Sequence, residues 1–158
     1  MKRVVMSIYA LMLMPLIVIN ISCSEDEEKK SNTDLLTQKS WKLTKVEMKT
    51  DDGTFDFTSG YMDECEGDNT YSYTANGNFA SAVGTDTCDG DEEEESGTWS
   101  WKENETVLAI TVDGYADEAK LIELNDSLLK VNGGSMSYDM NQDGIDDTEV
   151  EIILTFSH

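Results

Sequence analysis

The sequence predicts an all-β domain, an antiparallel up-and-down barrel of about eight strands with a short N-terminal helical turn. From Trp41 onward apolar residues recur at every second position, the period of a strand with one buried face. Turn-forming residues separate these runs at regular intervals. The one proline, Pro15, lies upstream of them all and interrupts no strand.

Residues 34–39 suit one helical turn, capped by Thr33 or Asp34 and turning Leu35 and Leu36 inward. Trp41, Leu43, Val46 and Met48 mark the first strand. Thr70–Thr74 is rich in β-formers and runs into Asn76-Gly77, the signal of a type I′ hairpin, with Phe79–Val83 as its return strand. Gly97–Trp101 alternates large and small residues, which places Trp99 and Trp101 on one face. Thr106–Val112 follows the Glu103-Asn104-Glu105 turn, and Asp113-Gly114 marks the next reversal. Ala119–Leu124, Leu128–Asn132, Met136–Asp139 and Glu149–Phe156 complete the series. Short strands joined by tight turns bury their edges best by closing on themselves.

The N-terminus carries a different signal. Met1-Lys2-Arg3 is a short basic segment, and an apolar run follows from Val4 to Ile21. Such a run also reaches the lower limit of about 18 residues for a membrane-spanning helix. The sequel favours export: Asn20-Ile21-Ser22-Cys23 places a small residue directly before a cysteine, and polar residues begin at once. This resembles the lipobox of bacterial lipoproteins, with Asn20 where Leu is usual. The resemblance implies a signal peptide over 1–22, cleavage before Cys23, and acyl chains on Cys23. Residues 23–33 then form a lipidated acidic tether too polar to fold, and 34–158 the barrel domain. Ser24-Glu25-Asp26-Glu27-Glu28 resembles the acidic tag that carries Bacteroidetes-type lipoproteins to the outer face of the outer membrane; a solvated spacer is the plainer reading.

Three cysteines leave one unpaired in an exported chain. With Cys23 taken by lipid, Cys65 and Cys88 remain as a disulfide pair or as two free thiols. A bridge would close a loop of about 24 residues, worth roughly 3 kcal/mol.

The net charge is −22; the leader holds Lys2, Arg3 and no acid, so its removal leaves −24. Arg3 is the only arginine. That balance argues against nucleic acid, which needs clustered cations, and against adsorption to anionic lipid. Membrane attachment would rest on acyl chains at about 0.8 kcal/mol per buried methylene.

One stretch after another resembles the lipocalin-like lipoproteins of Bacteroidetes. The matching residues are Leu35–Leu43, Asp63–Tyr71 with Tyr73, Ala75-Asn76-Gly77, Cys88 and Gly97-Thr98-Trp99. Lys39 stands where the family commonly has glycine. The resemblance covers most of residues 33–158 and implies an eight-stranded lipocalin-like barrel, without naming a ligand.

Three constellations bear on chemistry. Asp139-Met140-Asn141-Gln142-Asp143-Gly144-Ile145-Asp146-Asp147 fits a calcium loop, with oxygens from Asp139, Asn141, Asp143, the Ile145 carbonyl and Asp147. Val150 stands where an EF-hand needs glutamate, so a structural extracellular site of weak affinity is expected, against a plain acidic turn. The acidic run Asp86–Glu95 reads as a solvated loop. Trp41, Tyr71, Tyr73, Trp99 and Trp101 either line a cavity for a small hydrophobic molecule or simply fill the barrel. Were Trp99 and Trp101 outward instead, they would make a protein or glycan contact. Catalysis has little support: His158, the only histidine, is the last residue, and no serine has a base nearby in sequence. The expected function is a surface-anchored, non-enzymatic binding lipoprotein, with a protein- or glycan-interaction module as the alternative.

Overall fold

The computed structural model describes residues 30–86, 88, 94–140, 144–146 and 148–158. Nine strands form one antiparallel sheet: β1 (Lys42–Thr50), β2 (Gly53–Asp56), β3 (Thr70–Tyr73), β4 (Asn78–Ala82), β5 (Ser96–Lys102), β6 (Val107–Val112), β7 (Tyr115–Leu124), β8 (Leu128–Tyr138) and β9 (Thr148–Ser157). Their order is β2-β1-β9-β8-β7-β6-β5-β4-β3. From β3 onward each strand pairs with its successor, and β9 returns to β1. That is the expected up-and-down meander, with β2 an additional hairpin strand on β1.

The ladder does not run fully round. One bridge joins its two ends, where the Trp41 and Tyr71 amides and carbonyls exchange hydrogen bonds of 2.8 Å. Beyond it β1 leaves β3, and the chain between β2 and β3 occupies the gap. There the Phe57 amide donates to the Val46 carbonyl at 2.8 Å. The Val46 amide donates to Thr58 Oγ1 at 3.0 Å. Helix α2 (Thr58–Tyr61) and a 3₁₀ turn (Glu64–Asp68) pack along β1. The free edge of β1 is thereby covered.

Helix α1 (Asn32–Thr37) closes one end. Its cap is Ser31, earlier than the Thr33 or Asp34 expected: Ser31 Oγ accepts from the Asp34 amide at 3.1 Å and Asp34 Oδ2 from the Ser31 amide at 3.2 Å. This reciprocal pair outweighs a cap set one turn later, because it satisfies two amides at once. The ordered domain thus reaches into the segment read as tether. Leu36 is fully buried, and Lys30 pairs with Asp126 in the β7–β8 turn.

Two further expectations change. Asn76-Gly77 does not make a type I′ turn; only Gly77 has positive φ, +86°. The Gly77 amide donates to the Thr74 carbonyl at 2.9 Å. This is a type I turn followed by a left-handed glycine, the three-residue alternative. Asp113-Gly114, with φ of 50° and 84°, adopts the two-residue form instead. Leu128–Asn132 and Met136–Asp139 are one strand, β8, because the register shift between Asn132 and Ser135 absorbs Gly133-Gly134 without ending the pairing.

The Cys65–Cys88 disulfide is present, with Cα atoms 5.4 Å apart, and ties the 3₁₀ turn to the chain after β4. Among the described residues no helix is long and apolar enough to cross a membrane.

Candidate functional site

Alternation along each strand sends one row of side chains into the barrel. On β9 that row includes Ile152, Leu154 and Phe156; on β8, Leu129, Val131 and Gly133; on β6, Leu108 and Ile110. On β7 it is Asp117, Ala119 and Leu121, paired near Ile110 and Leu108. A cavity of about 380 Å³ lies among these strands, within the range of small-molecule pockets. Two small residues make room for it. Ala119 stands opposite Leu108, and Gly133 stands beside Leu154. A methyl added at Gly133 would meet Leu154 Cδ1 at 3.3 Å.

Strand direction fixes which end is open. The N-termini of β1, β6 and β8 lie with α1, where Leu36 and Trp41 are fully buried. Leu108, Leu129 and Phe156 are therefore the floor. Asp117 and Gly133 lie at the opposite rim, where Tyr61 of α2 reaches across. The wall is mostly apolar, with Tyr61, Tyr73 and the acidic pair Asp117 and Glu118 as its polar residues. A shallower depression of about 330 Å³ on the outside, around Lys49–Asp51, Glu149 and Glu151, has no apolar wall.

Of the five aromatic candidates, Tyr73 borders the cavity and is 5% exposed. Burial pushes its phenol well above the usual tyrosine range, so it stays neutral. It packs edge-on to Trp99 at 5.9 Å and against Phe79 at 5.4 Å. The other four are structural in their contacts. Trp41 Nε1 donates to the Leu36 carbonyl at 2.9 Å. Trp99 Nε1 donates to the Thr74 carbonyl at 2.9 Å, and Trp99 meets Trp101 edge-on at 6.0 Å. Both indoles face inward, opposite Ile110 and Leu108 in the β5–β6 register, which leaves no outward tryptophan pair. Tyr71 lies edge-on to Phe156 at 5.5 Å. His158 is not a loose end: its ring stacks on Trp41 at 4.0 Å and Nδ1 contacts the Ser40 carbonyl at 2.8 Å. The cavity-lining residues that sequence reasoning passed over are aliphatic. The period-two rows of β6–β9 contain them, and the signal was a small residue, Ala119, inside such a row.

Cys23 and the leader lie outside the described residues, as do Asn141, Asp143 and Asp147 of the calcium loop. Asp139 Oδ2 accepts from the Gly144 amide at 2.7 Å, and Gly144 has φ +89°. Among the described residues no group of three or more His, Cys, Asp or Glu is placed to hold a metal.

A family model described as a lipocalin-like domain matches residues 37–131. No curated protein matches the chain. Among solved structures, a DUF4847 family protein from Bacteroides vulgatus ATCC 8482 aligns at 9% identity with a TM-score of 0.49, covering 81% of this chain and 97% of the other.

Proposed function

Since the chain belongs to the lipocalin-like domain family, we propose that it is a non-enzymatic binding module that holds a small hydrophobic molecule inside the barrel. The observation that carries this reading is the cavity of about 380 Å³ walled by Leu108, Ile110, Leu129, Val131 and Leu154. An apolar molecule transferred there gains about 25 cal/mol per Å² of surface removed from water. The alternative of an interaction surface built on outward tryptophans loses its basis, because Trp99 and Trp101 face inward.

The test uses the neutral probe N-phenyl-1-naphthylamine, whose fluorescence rises in apolar surroundings. It should bind the purified protein saturably with one site. Leu154→Trp, which fills the cavity, should weaken binding at least about tenfold, the equivalent of roughly 1.4 kcal/mol. Equal binding by the filled variant would rule out the barrel interior as the site.

The same proposal includes location and calcium. The lipobox-like Asn20–Cys23 supports an acyl anchor on Cys23 in the outer membrane, facing the cell surface if the acidic segment after it acts as an export tag. Intact-mass measurement of the membrane-extracted protein should show loss of residues 1–22 and addition of acyl chains. The 139–147 segment supports a structural calcium loop through its acidic spacing.

A further inference from the structure

The cavity mouth carries one carboxylate, Asp117, that no described residue pairs, and no lysine is among the described residues lining it. Asp117 faces Ile110 in the β6–β7 register, so its side chain shares the inward face. It borders the cavity, and no hydrogen bond or ion pair joins it to a described residue. Its neighbour Glu118 also borders the cavity, but its carboxylate is paired with Lys102. Lys130 is on the outside of the sheet, bonded to Glu47, and Lys120 lies with both at a second outer depression.

A second, independent feature lies deeper. Tyr73 is 5% exposed and borders the cavity, yet its hydroxyl has no hydrogen-bond partner among the described residues. The hydroxyl is not sealed in the core but opens on the cavity, where a polar atom of a ligand can reach it. A carboxylate ligand would meet Asp117 at the entrance as a like charge, with no cation on the wall to offset burial of its own charge.

We propose that the pocket selects apolar amines, with the ammonium at the rim beside Asp117 and a further polar atom of the ligand hydrogen-bonded to Tyr73. This rests on the reading that the cavity binds a small hydrophobic molecule. Asp117 then sets head-group charge by a charge-assisted hydrogen bond, and the aliphatic wall sets size.

The experiment displaces bound N-phenyl-1-naphthylamine from the purified protein with decylamine, decanoate and the hydroxyl-ended aminodecanol, all below their aggregation concentrations. Decylamine should displace the probe at a concentration at least about tenfold lower than decanoate. Asp117→Asn should shrink that preference to within about threefold, since only the charged contact is removed. Tyr73→Phe should keep the amine preference but weaken aminodecanol relative to decylamine. Saturable probe binding with decanoate equal to or stronger than decylamine overturns the amine selection and leaves the binding reading intact. Failure of the probe and all three compounds to bind overturns the binding reading itself. A preference that survives Asp117→Asn comes from the acidic surface at large and overturns the assignment to Asp117. An unchanged aminodecanol-to-decylamine ratio in Tyr73→Phe overturns the role given to Tyr73.

Discussion

Glu47 shows how an outward residue on a strand can be tied down. Its neighbours Val46 and Met48 fill the barrel, and its own carboxylate accepts from Lys45 Nζ at 2.7 Å and Lys130 Nζ at 2.9 Å. These hydrogen bonds, that from Lys45 first, hold its carboxyl below the ordinary value of 4.5. A carboxyl whose value is lower folded than unfolded adds stability above the unfolded value and loses it as pH falls through the folded one. Urea midpoints should therefore drop as pH is lowered below about 4.5, and Glu47→Gln should flatten part of that drop. An identical acid profile in the variant would assign the loss to other carboxylates. Gly84 is fixed by a neighbour instead of by its own φ. A methyl there would lie 1.7 Å from Asp68 Oδ1, and Asp68 Oδ2 accepts from the Thr85 amide at 2.7 Å. Gly84→Ala should lower stability by about 1–3 kcal/mol through that lost contact. Added to Asp68→Ala, it should cost far less, because the clash and the contact involve the same carboxylate.

At the scale of elements, the segment from β2 to β3 takes over where the sheet opens. It contains no long strand, and its burial rests on Phe57 and Met62 packing against the core. The Cys65–Cys88 bond anchors it from the other side. Reduction of the bond, or Cys65→Ala with Cys88→Ala, should cost roughly 3 kcal/mol, read by urea denaturation with and without reductant. Hydrogen exchange should rise first across α2 and the 3₁₀ turn, and a uniform rise over all strands would count against this local role. The order of the turns was also set at this scale. Asn76-Gly77 reads as a two-residue hairpin, yet Trp99 Nε1 needs the Thr74 carbonyl and the Trp99 amide takes the Gly77 carbonyl at 2.8 Å. The three-residue turn supplies both acceptors, so tertiary contacts override the dipeptide preference.

For the molecule as a whole, an acidic chain surrounds an apolar interior with an open end. The chain carries a net charge of −22, which favours cations near its surface. If 139–147 is a calcium loop, several millimolar calcium should raise the melting temperature of the whole domain, since binding to the folded state alone adds stability by mass action. Magnesium at the same concentration controls for charge screening, and an equal effect from both would dismiss the site.

The residues that alternate are legible without a structure: period two from Trp41 to Phe156 specifies an antiparallel meander, because each strand must turn one row inward. The cysteine count likewise points to Cys65 with Cys88 once Cys23 is set apart. What only the tertiary structure decided is where the interior is empty. Volume inside a barrel depends on which residues from separate strands meet at one level, and Ala119, Gly133 and Tyr73 come together only after β3, β7 and β8 curve around the same axis. The aromatic residues most conspicuous in the sequence turned out to fill the structure around that space, while modest aliphatic positions bound it, since large rings are best spent where packing is densest.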